Sequence, residues 1–237
     1  MLPALLKKSP LLKGLIDFIL PPLCLACGKF DEDAKGICPA CRKLIDTYNQ
    51  PLCLGCFATL PAGKTCPDCG GISVPLYAYG NYTSPLQDVI IQFKFHGLTA
   101  PAALLAPPLY EQFQKELSDL KADLVIPVPL YPGRERRRGY NQAALFAEQI
   151  SQLLKLPMRT DILHRTEKRK PQARLNFNMR EKNVRDVFTV TDTSEKTTRV
   201  ILVDDVVTSG ATAREACREL EQGGYHVCAV LAMAHSR

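Results

Sequence analysis

The chain has 237 residues, 46% of them hydrophobic and 23% charged, with a net charge of +6. That is an ordinary composition for a soluble globular protein with room for one sizeable α/β core and a small appendage. Eight of its ten cysteines fall between Cys24 and Cys69, which argues against a disulfide-stapled secreted domain, whose cysteines would be spread behind a signal peptide.

The first segment, residues 1–22, reads as an amphipathic helix. Ser9-Pro10 supplies an N-cap and a proline at the first helical position, and Pro21-Pro22 closes the run. Leu11, Leu12, Leu15, Ile16, Ile19 and Leu20 make an apolar face against Lys13, Gly14 and Asp17. Lys13 and Asp17 do not belong in a secretory core, and about ten helical residues cannot span a bilayer. The helix is expected to dock on the protein's own surface, with peripheral membrane contact as the alternative. The expected location is the cytoplasm.

Residues 23–72 are turn-rich and hold four CxxC pairs: Cys24/Cys27, Cys38/Cys41, Cys53/Cys56 and Cys66/Cys69. A zinc ion takes four thiolates at tetrahedral corners, and a CxxC turn presents two of them, so eight cysteines make two closed structural sites. Redox chemistry and disulfides account poorly for four tandem pairs. An internal repeat bears on the pairing, since Leu23-Cys24-Leu25-Ala26-Cys27 is echoed by Leu52-Cys53-Leu54-Gly55-Cys56, and Cys38-Pro39-Ala40-Cys41 by Cys66-Pro67-Asp68-Cys69. The echo favours one zinc per copy, while an interleaved arrangement stays open. Few basic or aromatic residues lie between the knuckles, so the module is expected to be structural.

Residues 73–237 alternate β-branched runs with helical patterns, the mark of a parallel sheet with crossover helices. Strands are expected near Tyr77–Tyr79, Leu124–Val128, Val187–Val190, Val200–Val203 and Val227–Leu231, and helices near Pro85–Phe95, Asn141–Lys155 and Thr212–Gln222. Arg134–Arg138 reads as a basic run inside a turn opened by Pro132-Gly133. Arg165–Arg185 reads as a long polar loop, of the kind that serves as a lid. Cys217 and Cys228 lie among apolar neighbours and are expected to be core thiols.

The most specific signal is Val200-Ile201-Leu202-Val203-Asp204-Asp205-Val206-Val207-Thr208-Ser209-Gly210-Ala211-Thr212. Four aliphatic residues make a buried parallel strand, and two carboxylates follow at its C-terminal end, where open α/β sheets bind ligands. A loop of Thr, Ser, Gly and Thr then opens a helix, whose amides and dipole favour an anion. Two acids beside a phosphate cradle make sense when the ligand also carries hydroxyls or a metal. A ribose 5-phosphate fits, with its phosphate in the loop and its hydroxyls on Asp204 and Asp205.

These thirteen residues resemble the 5-phosphoribosyl-1-pyrophosphate (PRPP) motif of type I phosphoribosyltransferases. The chain as a whole resembles the ComF family of competence-associated, phosphoribosyltransferase-like proteins. That likeness rests on the CxxC pairs, Phe93-Lys94-Phe95-His96-Gly97, Pro127-Val128-Pro129-Leu130, Arg137-Arg138-Gly139-Tyr140-Asn141-Gln142, and the spaced set Arg165, Thr166, Gln172, Arg180 and Asn183. It implies a type I phosphoribosyltransferase core, a mostly parallel sheet flanked by helices, behind a double zinc ribbon. It also implies PRPP bound with Mg²⁺, Asp204 and Asp205 as the catalytic pair, and Val206, Val207, Thr208, Ser209, Gly210, Ala211 and Thr212 as the PRPP loop. Arg134, Arg137 and Arg138 are candidates for the pyrophosphate, with Lys170, Arg174 and Arg180 on the lid; His96 is given no role. The hood expected over residues 75–106 names no acceptor base. Three functions compete: phosphoribosyl transfer to an acceptor, PRPP or nucleotide sensing without turnover, and handling of single-stranded DNA beside the DNA-uptake machinery in natural transformation. The last lacks aromatic residues interleaved with its basic stretches, Tyr140 and Phe177 apart.

Overall fold

In the computed structural model the described residues are 22–31, 36–60, 66–69, 74–166, 187–193 and 197–236. In chain order the helices are α1 (Pro39–Lys43), α2 (Leu86–Phe95), α3 (Ala100–Gln112), α4 (Gln114–Asp119), α5 (Pro132–Arg138), α6 (Gln142–Leu154) and α7 (Ala211–Gln222). The strands are β1 (Leu52–Cys53), β2 (Pro75–Asn81), β3 (Leu124–Pro127), β4 (Leu163–Arg165), β5 (Phe188–Val190), β6 (Thr198–Val207) and β7 (Tyr225–His235).

The aliphatic runs of the sequence become the middle of one sheet. Its order is β1-β2-β7-β6-β3, with β2, β7, β6 and β3 parallel and β1 antiparallel at the edge. Val200–Val203 and Ala229–Ala234 are buried, as strands covered on both faces must be. Helices α3 and α6 pack together on one face, and α7 covers the other. The mixed α/β core with a mostly parallel sheet is the expected architecture.

Four details differ from the expectation. Val187–Val190 does not join the parallel sheet; β5 pairs with β4 in a separate antiparallel ribbon. The fifth strand of the main sheet is β1, contributed by the cysteine module. Arg134–Arg138 is not a turn but most of helix α5, because Pro132 pre-sets the first helical turn and Gly139, at φ 82°, stops it. The basic residues of its last turn, Arg136, Arg137 and Arg138, sit where the helix dipole favours cations. Helix α3, unassigned from sequence, forms despite Pro107 and Pro108 and buries Leu105, Ala106 and Leu109. The expected N-terminal helix, the lid and the boundary near residue 72 lie outside the described residues.

Asn141 joins two of these elements. Its side chain accepts from the Ala143 amide as the N-cap of α6 and donates to the Val128 carbonyl just past β3, each at 3.0 Å. Both partners are buried with it. Asn141→Ala should therefore lower stability by about 1–3 kcal/mol, read as a fall in Tm. Asn141→Ser, which keeps a cap and loses the bond to Val128, should recover part of the loss.

Candidate functional site

Strand β6 runs on past its aliphatic stretch through Asp204, Asp205, Val206 and Val207. Thr208–Gly210 then make a three-residue turn, with Gly210 at φ 71°, and α7 opens at Ala211. A small cleft of about 50 Å³ lies here, lined by Asp204 and by Val206 through Ala213. Thr208 and Ser209 are exposed, whereas Gly210 is buried and leaves no room for a side chain. The structure thus brings Asp204 and the whole predicted loop into one cleft, which Asp205 does not line.

The two acids are differently placed. Asp204 accepts from the Asp205 amide at 2.8 Å, and Asp205 accepts from the Val206 amide at 2.6 Å. Burial, followed by the charge of Asp205, pushes Asp204 up from its usual 3.8 to about 7, against the opposing pull of the Asp205 amide, Lys94 and Arg165. Asp205 has a direct partner: Lys94 Nζ lies 3.1 Å from its Oδ2, with both side chains largely buried. Lys94 also sits 5.8 Å from the Tyr82 ring centroid.

Lys94 and Arg165 carried no assigned role in the sequence reading. Both stood inside motifs that gave no hint of their distance to the acids. Arg165, at the end of β4, places its guanidinium 4.1 Å from the Tyr131 ring centroid and 5.2 Å from that of Phe188. Its Nε is buried without a hydrogen-bond partner among the described residues. A larger hollow of about 330 Å³ opens beyond β3, lined in part by Pro129, Leu130, Glu135, His164 and Arg165. Arg134, Arg137 and Arg138 do not line it. Arg134 lies over Tyr131, Arg137 is exposed, and Arg138 donates to Gln142 Oε1 at 3.0 Å while lying over Phe95. His96 is exposed at the end of α2. The lid residues Lys170, Arg174 and Arg180 are outside the described residues.

A latch of hydrogen bonds holds α2 in reach of the acids. The Phe93 carbonyl accepts from the Tyr140 hydroxyl at 2.6 Å and from Gln142 Nε2 at 3.4 Å. The rings of Phe93 and Tyr140 stack 5.8 Å apart. Residues 93–97 and 137–142, separate motifs in the sequence, are thus one packed unit.

The cysteines form two clusters, Cys24/Cys27/Cys38/Cys41 and Cys53/Cys56/Cys66/Cys69, with all sulfurs of each within 4.8 Å of one another. This is one cluster per repeat copy, which settles the pairing. Zn–S bonds of about 2.3 Å place tetrahedral sulfurs roughly 3.8 Å apart, and the Cys27–Cys38, Cys53–Cys69 and Cys56–Cys66 pairs lie at 4.0, 3.5 and 3.6 Å. The thiols also titrate as a crowded set. Burial pushes Cys24 up, but surrounding backbone amides outweigh it and bring it down to about 6; Cys41, buried beside three other thiols, is pushed well up. Four such sulfurs become thiolates together only around a cation, so the residues fit zinc.

The two knuckles repeat in detail. Gly28 donates to the Cys24 carbonyl at 2.9 Å, and Phe57 to that of Cys53 at 2.7 Å. Gly28 has φ 69° and Phe57 φ 60°. The second knuckle therefore holds a bulky L-residue in the left-handed region, at a cost on the order of 1–2 kcal/mol. Cys217 and Cys228 are buried apart from both clusters, and burial pushes Cys217 up to about 12.

Two measurements test this geometry. Purified, reduced protein should hold two zinc ions; Cys24→Ser should lose one and Cys217→Ser neither, as read by metal analysis. Folding should raise the proton affinity of Asp204, so the stability tied to its protonated form is full below pH 3.8 and lost as pH rises through about 7. Asp204→Asn, neutral throughout, should gain on the parent chain over that window by up to about 1.4 kcal/mol per pH unit, read from denaturant unfolding of both proteins in parallel. An unchanged difference would remove the buried-acid account.

Residues 15–70 match the double zinc ribbon domain. Competence protein F of Haemophilus influenzae is 31% identical over 223 residues, which span 90% of this chain and 96% of that one. DNA utilization protein YhgH of Salmonella typhi is 28% identical over 86% of this chain and 93% of its own. Adenine phosphoribosyltransferase of Leishmania donovani superposes on 61% of this chain and 56% of its own, with a TM-score of 0.39 and 16% identity. Among the described residues no helix is long and apolar enough to cross a membrane. With two four-cysteine clusters ahead of a mostly parallel α/β core, and with that similarity over nearly its full length, the chain belongs to the Competence protein F (ComF) family.

Proposed function

We propose that the chain binds PRPP at the end of β6 and transfers its phosphoribosyl group to an acceptor. One observation carries this reading: Asp204, near the end of β6, and a turn with left-handed Gly210 that opens a helix line the same cleft, with Asp205 next to it in the strand. The exposed Thr208 and Ser209 hydroxyls and the first amides of α7 would take the 5-phosphate. Asp204 and Asp205 would accept from the ribose hydroxyls. Asp204, sitting near neutrality, gains its charge as those hydroxyls replace lost water. The Asp204 carboxylate offers a hard oxygen donor for Mg²⁺, most of whose shell would come from PRPP and water; the ion would neutralise charge on the departing pyrophosphate. Arg165, whose charge is felt at Asp204 and which lines the neighbouring hollow, would help hold a second anion. The named relative supports a part in competence, and so in DNA uptake.

A second reading, ligand binding without turnover, is favoured by the Lys94–Asp205 ion pair, which already occupies one carboxylate of the pair. Pyrophosphate release from PRPP and Mg²⁺ with a panel of bases separates the two: turnover supports transfer, and tight PRPP binding without release supports sensing. A salt titration of single-stranded DNA, repeated at saturating PRPP, tests the DNA-handling alternative.

The acid pair gives the sharper test. Changing Asp204 and Asp205 together to Ala should weaken PRPP by at least about a hundredfold, since each charge-assisted bond lost costs on the order of 1.5–3 kcal/mol. Inorganic phosphate should respond with the opposite sign and bind more tightly, because the charge of Asp205 and part of that of Asp204 are gone beside an anion site. Calorimetry of the double variant with both ligands decides it. Tighter binding of both would sink the ribose-clamp assignment.

A further inference from the structure

We propose that Phe57 of the second cysteine knuckle is a positioning residue for the phosphate loop, so that metal binding at Cys53/Cys56/Cys66/Cys69 and phosphate binding at Thr208–Thr212 are thermodynamically coupled. The inference rests on the reading of that loop as a phosphate site.

The contacts run in an unbroken line from knuckle to loop. The Phe57 ring stacks on the His235 imidazole, centroids 4.3 Å apart and planes 28° from parallel. His235 is buried, and its Nδ1–H donates to the Val207 carbonyl at 2.9 Å, on the residue just before the turn. A Cβ on Gly210 would lie 2.8 Å from Phe57 Cζ and 3.4 Å from the Leu54 carbonyl, so the turn rests directly on the knuckle. From the far side of the turn, Arg214 in the first helical turn of α7 donates to that same Leu54 carbonyl at 3.0 Å. Leu54 lies between Cys53 and Cys56. The knuckle therefore touches the loop and the helix after it, and reaches the strand end before the loop through His235.

The repeat shows that this is no generic feature of such a knuckle. In the first copy the equivalent residue is Gly28, and among the described residues nothing lies within 4 Å of the position its Cβ would take. Glycine suits that left-handed backbone, and the second copy departs from it with a phenylalanine. Backbone strain of this kind persists where surrounding contacts over-determine it, and here the contacts are those with the phosphate turn. Because the knuckle keeps its shape through its thiolates, anything that orders the loop should also secure the metal, and the reverse.

Phe57→Gly in the full chain separates a positioning role from a purely structural one. It relieves the strained backbone, so both zinc ions should remain. A structural role then leaves ligand affinity untouched, whereas positioning predicts ribose 5-phosphate weakened by about fivefold or more in calorimetry. The parent chain supplies an independent readout without any variant. Ribose 5-phosphate should slow maleimide labelling of the second cysteine set by about fivefold or more, and change the first set by less than about twofold, as mapped by peptide mass. Cys27 and Cys56, both exposed, are the matched pair. Equal response of the two sets, or parental affinity in Phe57→Gly, overturns the coupling alone. Failure of the parent chain to bind either ribose 5-phosphate or inorganic phosphate overturns the phosphate reading, and the coupling with it.

Discussion

Two carboxylates on consecutive, partly buried residues cannot both stay charged unless a cation stands close, and Asp204 and Asp205 set that demand near the end of β6. Asp205 is satisfied by Lys94, which belongs to the last turn of α2. That ion pair fixes where α2 must end. The helix end is held in turn by the Phe93 carbonyl, bonded to Tyr140 and Gln142 at the start of α6. Asn141 between them caps α6 and reaches the end of β3. One electrostatic requirement is thereby passed through three elements far apart in the chain. Asp204 meets the same requirement differently, by holding a proton near neutrality. A ligand that brings hydroxyls, or a metal, can replace that proton.

What could be read from the sequence was local. The proposed phosphate loop is a strand, a turn and a helix start in thirteen consecutive residues, so the pattern behind the proposal is written in one place. The cysteine pairing was legible for another reason: the unit is repeated, and the echo marks which knuckles belong together. Helix α3 was hidden because Pro107 and Pro108 break the expected pattern, although burial of Leu105 and Leu109 overrides their cost. Helix α5 was hidden by Pro132-Gly133, which reads as a turn yet places proline where a helix begins. The Lys94–Asp205 pair spans more than a hundred residues, and nothing in either motif announces the other. The break in the repeat at Phe57 was visible in the sequence, but its meaning depended on Gly210 and His235 arriving beside it.

Much of the cysteine module is thus packed into the core, while Cys53, Leu60 and Cys66 keep a small cluster of their own. Cys24, Ile37, Cys41, Ile45, Tyr48, Leu52 and Leu54 belong to the same apolar cluster as the sheet. Thr47 bridges to Gly80, and the Tyr48 amide donates to the Tyr79 carbonyl at 3.2 Å, so the segment after α1 also lies along β2. A metal-stapled segment too short to enclose a core of its own is here joined to a large one, which supplies the burial that two thiolate clusters alone do not.

The pairing of β1 with β2 has a further consequence. Every sheet must do something with its outer strands, whose unpaired amides and carbonyls otherwise template contact with another chain. On one side β3 is covered by the segment at Met158. On the other, Leu52 and Cys53 lie over Leu76 and Pro75, and Cys53 is itself a member of the second cluster. The cover of that edge is therefore held by a metal site. A chain stripped of that metal would bare the Pro75–Leu76 end of β2, while Thr47 and Tyr48 still lie along its other end. Its characteristic failure would be self-association through an open sheet edge, long before the parallel core itself comes apart.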